Sequence, residues 1–266
     1  MITNSFGIEF GYELIAVVPW AYYLHTKGEL TGTISVKDKA PFYYFSPHHT
    51  EVDKRRHWDN MQMAMDIPNI RVHSPQLNLE KWIPPPYKEH YKNDTFKFDK
   101  PTLIVTNKYN IEWGEPPANF LDADTLRWIF ENYQDKYQII YSRFLPQMGY
   151  DDTVDTLDLG EFEMVREFPK VMTIQQLYNH TNYTSENITY NELQLRLYAN
   201  CDKFITVQGG QTILASYFGG TNIIFARKGQ ELRCFSYQNW YNLFGGSDIH
   251  VARSYPFLKE TLRKLL

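Results

Sequence analysis

From residue 102 onward the chain alternates between short apolar, β-branched runs and longer stretches with helical spacing, and no other feature narrows its fold as much. The runs "TLIVTN" (102–107), "QIIYSRF" (138–144), "KFITV" (203–207), "TNIIFA" (221–226) and "SDIHVA" (247–252) read as strands. A strand apolar at nearly every position is buried on both faces, which implies a parallel sheet covered by helices. Between the runs, Leu126, Ile129, Phe130 and Tyr133 recur at helical spacing within 122–137, and helices are also expected over 188–201, 210–219 and 256–266. The acid-rich stretch 147–160 reads as loop. Strands alternating with helices build βα units and a doubly wound sheet.

The first hundred residues follow a looser version of this pattern. Strands are expected over 1–6, 32–37, 42–45 and 70–74, with a helix over 12–26. The segment 81–101, "KWIPPPYKEHYKNDTFKFDKP", opens with three consecutive prolines and continues with polar residues, so it reads as a linker or surface excursion. The expected architecture is α/β with two Rossmann-like lobes and a cleft between them. The lobes span residues 1–95 and 96–255, and 256–266 forms a closing helix.

Composition excludes several classes. A net charge of −4 offers no basic stripe for nucleic acid, and the one dense basic cluster, at 53–58, is short and flanked by acids. Cys201 and Cys234 fit neither a metal spacing nor a disulfide scaffold, which suits a reducing compartment. No signal peptide and no apolar run of membrane-spanning length is evident, so a soluble, cytoplasmic protein is expected. The sequons at Asn93, Asn179, Asn182 and Asn187 are then expected to stay unmodified.

Two segments carry candidate chemistry. In 202–229 a strand ends at Val207, Gln208–Gly209–Gly210 makes a tight turn, and a helix begins near Gln211 and Thr212. Unsatisfied first-turn N–H groups beside glycines suit a phosphate or diphosphate, although a plain βα turn with Thr212 as cap has the same sequence. The turn is neither a Walker A loop nor G-x-G-x-x-G. Lys228 and Glu231 follow the next strand and suit phosphate and ribose hydroxyls, or are ordinary surface charges. The second segment is "FGIEFGYEL" (6–14), where Glu9 and Glu13 lie among the glycines Gly7 and Gly11. Its acids either cap the following helix or act as a base on a substrate hydroxyl.

The first of these segments resembles the nucleotide-sugar motif of GT-B glycosyltransferases, most closely the heptosyltransferase-like group. That group has a D-T-G-x-x-H-L-A turn and helix. Gln208, Gly209 and Gly210 occupy the D-T-G positions here, and Leu214 and Ala215 the L-A, while Gln208 replaces the family's Asp and Ile213 its His. The same group opens with G-D-x-x-x-x-x-P, where the acid serves as catalytic base. Glu13 precedes Pro19 by that spacing, with Gly11 two residues before the acid instead of one.

The resemblance implies transfer of a sugar from a nucleotide-diphosphate donor to a glycan or glycoconjugate hydroxyl, without metal or other cofactor and with inversion. Glu13 would be the base and Glu9 the second candidate. Gly11 and Tyr12 would meet the acceptor. The donor would lie on Gln208, Gly209, Gly210, Gln211, Thr212, Lys228 and Glu231, with Asn107, Lys108 and Arg143 at strand ends of the same lobe. Asp122 and Asp124 form a D-x-D pair as in metal-dependent GT-A enzymes, although their place at a helix start also suits N-capping. His48, His49 and Glu51 suggest metal ligands, but adjacent residues of an extended chain point to opposite faces. A non-catalytic nucleotide- or carbohydrate-binding protein is the reading from a different class.

Overall fold

The computed structural model describes residues 1–52, 66–70, 77–143, 156–180 and 188–266. The expected strand at 70–74, most of the loop at 147–160, the basic cluster at 53–58 and the sequons at Asn182 and Asn187 lie wholly or largely outside the described residues.

Every apolar run of the second half forms a strand. β4 (Thr102–Asn107), β5 (Gln138–Arg143), β6 (Met172–Thr173), β7 (Lys203–Val207), β8 (Thr221–Phe225) and β9 (Asp248–Ala252) make one six-stranded sheet in the order β6-β5-β4-β7-β8-β9. All its pairings are parallel. The chain builds outward from β4 to β6, returns to place β7 beside β4, and builds outward again to β9. This is the doubly wound 3-2-1-4-5-6 order, and its switch point lies between β4 and β7.

The side-chain period of two sorts the strand residues between two cores. Leu103, Val105, Ile205, Val207, Ile223 and Phe225 face one side, where helix α4 (Ala123–Tyr133) and the closing helix α11 (Tyr255–Leu265) cover them. Leu126, Ile129 and Phe130 of α4 are fully buried there, worth roughly 1.5–3 kcal/mol each over exposure. Ile104, Ile140, Phe204 and Ile224 face the other side, under α7 (Tyr190–Ala199) and α8 (Gly210–Ser216). Shorter helices complete this half: α5 (Glu161–Val165), α6 (Ile174–Asn179), α9 (Gln230–Arg233) and α10 (Ser236–Asn239).

The first half holds a separate parallel sheet of three strands, β1 (Ile2–Asn4), β2 (Gly32–Val36) and β3 (His49–Val52). The molecule is thus a mixed α/β protein with two parallel sheets. The apolar cluster under α7 and α8 also contains Ile8, Leu14, Val17, Phe42 and Tyr87, so residues of both halves share one core.

Two expectations differ from what is seen. The stretch 42–45 is not a strand: Ala40–Tyr43 forms a 3₁₀ turn. Pro41 opens that turn, and Glu51 Oε1 accepts from the backbone N–H groups of Lys39 and Ala40, both at 2.9 Å. The nearby strand falls instead on the polar sequence "HTEV" of β3. Finally, 81–101 is no surface excursion. Trp82, Tyr87, Tyr91 and Phe96 are buried, and Tyr87–Tyr91 forms helix α3.

The opening helix has a defect with an identifiable cause. A turn, α1 (Phe10–Tyr12), runs into a π-helical stretch, Glu13–Val17, and then into α2 (Val18–Thr26). Pro19 has no N–H to donate, and its ring crowds the carbonyl four residues back. Two carbonyls of the stretch accept from side chains: Trp82 Nε1 donates to Ile15 O at 2.6 Å, and the Tyr217 hydroxyl donates to Leu14 O. The π-helical register is therefore satisfied from outside the helix, as buried backbone groups require.

Candidate functional site

In open α/β sheets, ligands bind beyond the carboxyl ends of the strands at the switch point. Here that place lies past Asn107 of β4 and Val207 of β7. Lys108 follows β4 and Gln208 follows β7, and the Lys108 ammonium donates to Gln208 Oε1 at 2.9 Å. A Cβ added at Gly209 would stand 3.2 Å from Lys108 Nζ, and Gly209 has φ +128°. Only glycine turns the chain there without strain while letting the cation this close to the backbone.

The ends of β7 and β8 are joined through the same glutamine. Gln208 Nε2 donates to Glu231 Oε1 at 2.8 Å, and both side chains are buried. Glu231 follows Gly229, whose φ of +140° also requires glycine. Asn119, from the loop after β4, ties the cluster together. Its Oδ1 accepts from the N–H groups of Arg227 and Lys228 at 2.8 and 3.1 Å, and its Nδ2 donates to Lys228 O at 2.9 Å. Nδ2 also lies 3.2 Å from Gln208 Oε1.

Both lysines meet acids of that loop: Lys108 Nζ pairs with Glu112, and Lys228 Nζ pairs with Glu115. Glu112, Glu115 and Asn119 belong to the site but carry no motif, so no pattern in the sequence points to them.

The opening glycine segment lies against this cluster. A Cβ on Gly210 would meet Phe10 Cδ1 at 2.7 Å, and a Cβ on Gly11 would meet Ile213 Cδ1 of α8 at 3.4 Å. The two segments singled out in the sequence are therefore in contact. Glu9 is partly exposed and caps α1, its Oε2 accepting from Tyr12 N at 3.2 Å. Burial, then the nearby charges of Glu9 and Glu231, push the Tyr12 phenol up to about 12, so its hydroxyl stays a donor at neutral pH.

Glu13 has a different setting. It is fully buried at the start of the π-helical stretch, and it accepts from Ser5 Oγ at 2.6 Å and from the Tyr43 hydroxyl at 2.9 Å. Tyr43 stacks on His49 at 5.3 Å.

Other expected site residues are turned elsewhere. Asn107 clamps the loop after β4, donating to Leu121 O at 2.9 Å and accepting from Leu121 N at 2.8 Å. Arg143 is buried and pairs with buried Glu161 at 2.6 Å, while its Nη1 donates to Leu157 O at 2.9 Å. Thr212 does not cap the helix, as the plain-turn alternative had it: Gly209 is the N-cap of α8, and Thr212, inside its first turn, donates from Oγ1 to Val207 O at 2.6 Å. Gln211 Oε1 accepts from Gln194 Nε2 at 2.8 Å and from the Tyr198 hydroxyl at 3.1 Å, which directs it to α7. The strand-end positions of Asn107 and Arg143 and the helix-start positions of Gln211 and Thr212 were legible; the direction of each side chain depends on its partners in the fold.

Tyr237 and Tyr241 are buried, and their hydroxyls have no hydrogen-bond partner among the described residues. Burial, and then the charge of Glu231, holds both phenols well above their ordinary range.

Asp122 caps α4, accepting from Thr125 N at 2.8 Å, and exposed Asp124 lies in the first turn. His48 is exposed, while His49 turns to β2, where Thr33 Oγ1 and Ser35 Oγ lie 2.7 and 3.1 Å from its ring nitrogens. Glu51 holds the 3₁₀ turn described above. Among the described residues no group of His, Cys, Asp and Glu is arranged to hold a metal ion, and no helix is long and apolar enough to cross a membrane.

No protein-family model and no curated protein matches the chain. Among solved structures it is similar to the glycosyl transferase family 9 protein from Veillonella parvula, at 11% identity over 92% of this chain and 69% of that one, with a TM-score of 0.36. A TM-score that low carries no weight for kinship or activity, and the chemistry of the site alone bears on function.

Proposed function

We propose that the protein is a glycosyltransferase that binds a nucleotide-diphosphate sugar at the switch point of its larger sheet. The observation behind this reading is the convergence, at one strand-end crevice, of Lys108, the Gly209–Gly210 turn, Lys228 and Glu231. Sugar transfer from a diphosphate requires stabilisation of the departing anion, and two lysines with backbone N–H groups supply it without a metal. Glu231 suits hydroxyls of the ribose or the sugar. The acceptor would approach over Gly11 and Tyr12, and a base there takes its proton as the bond to the anomeric carbon forms, with inversion.

The base role fits Glu9 better than Glu13. Glu9 is partly exposed beside Tyr12, whereas Glu13 is fully buried with two hydroxyls donating to it. Glu9→Gln should lower turnover by roughly 10² to 10⁴ while nucleotide affinity stays within twofold or so. If Glu9→Gln turns over normally and a folded Glu13→Gln does not, the assignment reverts to Glu13.

The first experiment is a thermal-shift panel of nucleoside diphosphates and nucleotide sugars, with and without chelator. A ligand specific to the folded state raises the midpoint by mass action. A shift from one nucleoside diphosphate that survives chelation is expected. A shift that requires a divalent ion would favour the Asp122/Asp124 alternative, and no shift from any member would remove the donor site.

A second reading, a non-catalytic nucleotide- or carbohydrate-binding protein, is favoured by one observation: the carboxylate at the family's base position is sealed in the core. Nucleotide binding without turnover of any donor sugar would establish it.

A further inference from the structure

Both cations of the proposed donor site are held by one small piece of chain. The loop after β4 contains a tight hairpin in which Glu112 and Glu115 exchange backbone hydrogen bonds, Glu112 N to Glu115 O at 3.2 Å and Glu115 N to Glu112 O at 3.0 Å. Its two central residues, Trp113 and Gly114, have φ of +56° and +72°. Positive φ at both centres is the type I′ geometry, which keeps the two flanking residues paired and side by side. Those flanking residues are the acids that pair with Lys108 and Lys228. The lysines come from opposite sides of the switch point, one after β4 and one after β8. The hairpin therefore bridges the two strand ends and neutralises a lysine at each.

We infer that this hairpin is an autoinhibitory clamp, whose acids Glu112 and Glu115 occupy the lysines until a diphosphate exchanges for them. The inference rests on the donor-site reading and adds a mechanism to it. A diphosphate brings several anionic oxygens to the same ammonium groups, so each lysine exchanges one carboxylate for a more highly charged partner. The exchange is local and graded in difficulty. Lys228 and Glu115 have side chains 39% and 58% exposed, where an ion pair is weak, whereas Lys108 and Glu112 are 18% and 16% exposed. The outer pair opens at little cost and the inner pair sets the threshold.

Trp113 shows what release accomplishes. A bulky residue at positive φ is strained, and this one holds a tryptophan 57% exposed at the tip of the hairpin. Freed from its anchors, the tip can relax that strain. The clamp also selects: a monoanion offers too little charge to displace two carboxylates, and a diphosphate offers enough.

The test is calorimetric titration with inorganic pyrophosphate, the group that nucleoside diphosphates share in kind, on the wild type, E112Q/E115Q, and that variant with K108A/K228A added. Removing the competing charges should tighten pyrophosphate binding by roughly 10-fold, equivalent to about 1.4 kcal/mol. Adding K108A/K228A should abolish the gain. In the wild type, backbone amides of 109–118 should exchange with deuterium faster when pyrophosphate is bound. Equal affinity of wild type and E112Q/E115Q overturns the clamp, as does a gain that survives loss of both lysines or hairpin amides that slow on binding. Should E112Q/E115Q fail to fold, E115Q alone, at an exposed position, is expected to give part of the gain, and no gain there overturns the clamp equally. If neither wild type nor E112Q/E115Q binds pyrophosphate or any nucleoside diphosphate, the donor site itself falls and the clamp with it.

Discussion

Replacing Gly210 with alanine tests the contact on which the site depends, that of the opening segment with the glycine turn. The new Cβ would lie 2.7 Å from Phe10 Cδ1, 3.3 Å from Cε1 and 3.5 Å from Cγ. Carbon atoms rest at about 3.5–4.0 Å, so the ring must retreat by roughly 0.8 Å. It has little room, because Lys39 Nζ sits 4.1 Å from its centroid and Phe42 is 5.5 Å away. Overpacking of this kind costs about 1–3 kcal/mol. Alanine recovers up to about 1 kcal/mol of helix propensity, less at a first helical position, so a net loss of roughly 1–2 kcal/mol is expected. Urea unfolding of G210A, F10A and the double variant measures both the loss and its origin. In the F10A background the penalty should vanish, giving a coupling of at least about 1 kcal/mol. A G210A protein as stable as wild type, or a penalty unchanged in F10A, would refute the claim that the two segments are in contact.

Further outcomes follow from other contacts. Arg143→Met should cost roughly 3–5 kcal/mol in urea unfolding, because it strands the carboxylate of buried Glu161, and adding Glu161→Gln should return part of that loss. Trp82→Phe should cost about 1–3 kcal/mol by leaving the Ile15 carbonyl without its donor; a loss below measurement error would count against the account of the π-helical stretch. Tyr241→Phe should leave the ligand-free protein as stable or slightly more so, since it removes a buried hydroxyl with no partner among the described residues. The His49 imidazole is held below its ordinary value, chiefly by burial, with Glu51 and Glu13 opposing. The unfolded chain therefore binds the proton more readily. The stability that His49 contributes is complete above its unfolded value and is lost as pH falls through the folded one, so His49→Gln should flatten the acid limb of a stability-versus-pH profile below about 6.5.

The larger sheet was legible because parallel strands buried on both faces leave continuous apolar runs, and each run in 102–252 became a strand within a residue or two. β3 was hidden because it is an edge strand with polar sides, and 42–45 misled because aromatic residues suit a buried turn as well as a strand. The segment 81–101 looked like a linker because prolines mask anchoring aromatics spaced four to five residues apart. At the site, Lys108, Gln208, Gly209, Lys228 and Glu231 could be found by their places at strand ends. Glu112, Glu115 and Asn119 could not, because a loop residue joins a site through its fold and no local pattern records that. Arg143 shows the converse: its position was foreseeable, but its salt bridge to Glu161 depends on a helix that begins 18 residues later.

The π-helical stretch also bears on how the molecule is made. Two of its carbonyls accept from side chains 67 and 203 residues away along the chain. Closing such distances is slow, and contacts of this range form late in folding. The segment bearing Glu9 and Glu13 is synthesised before Tyr217, so the contact that Tyr217 makes with Leu14 O cannot form until the 203 residues after Leu14 have been added. A growing chain therefore carries Glu9 and Glu13 without this part of their support until the second half of the molecule is made.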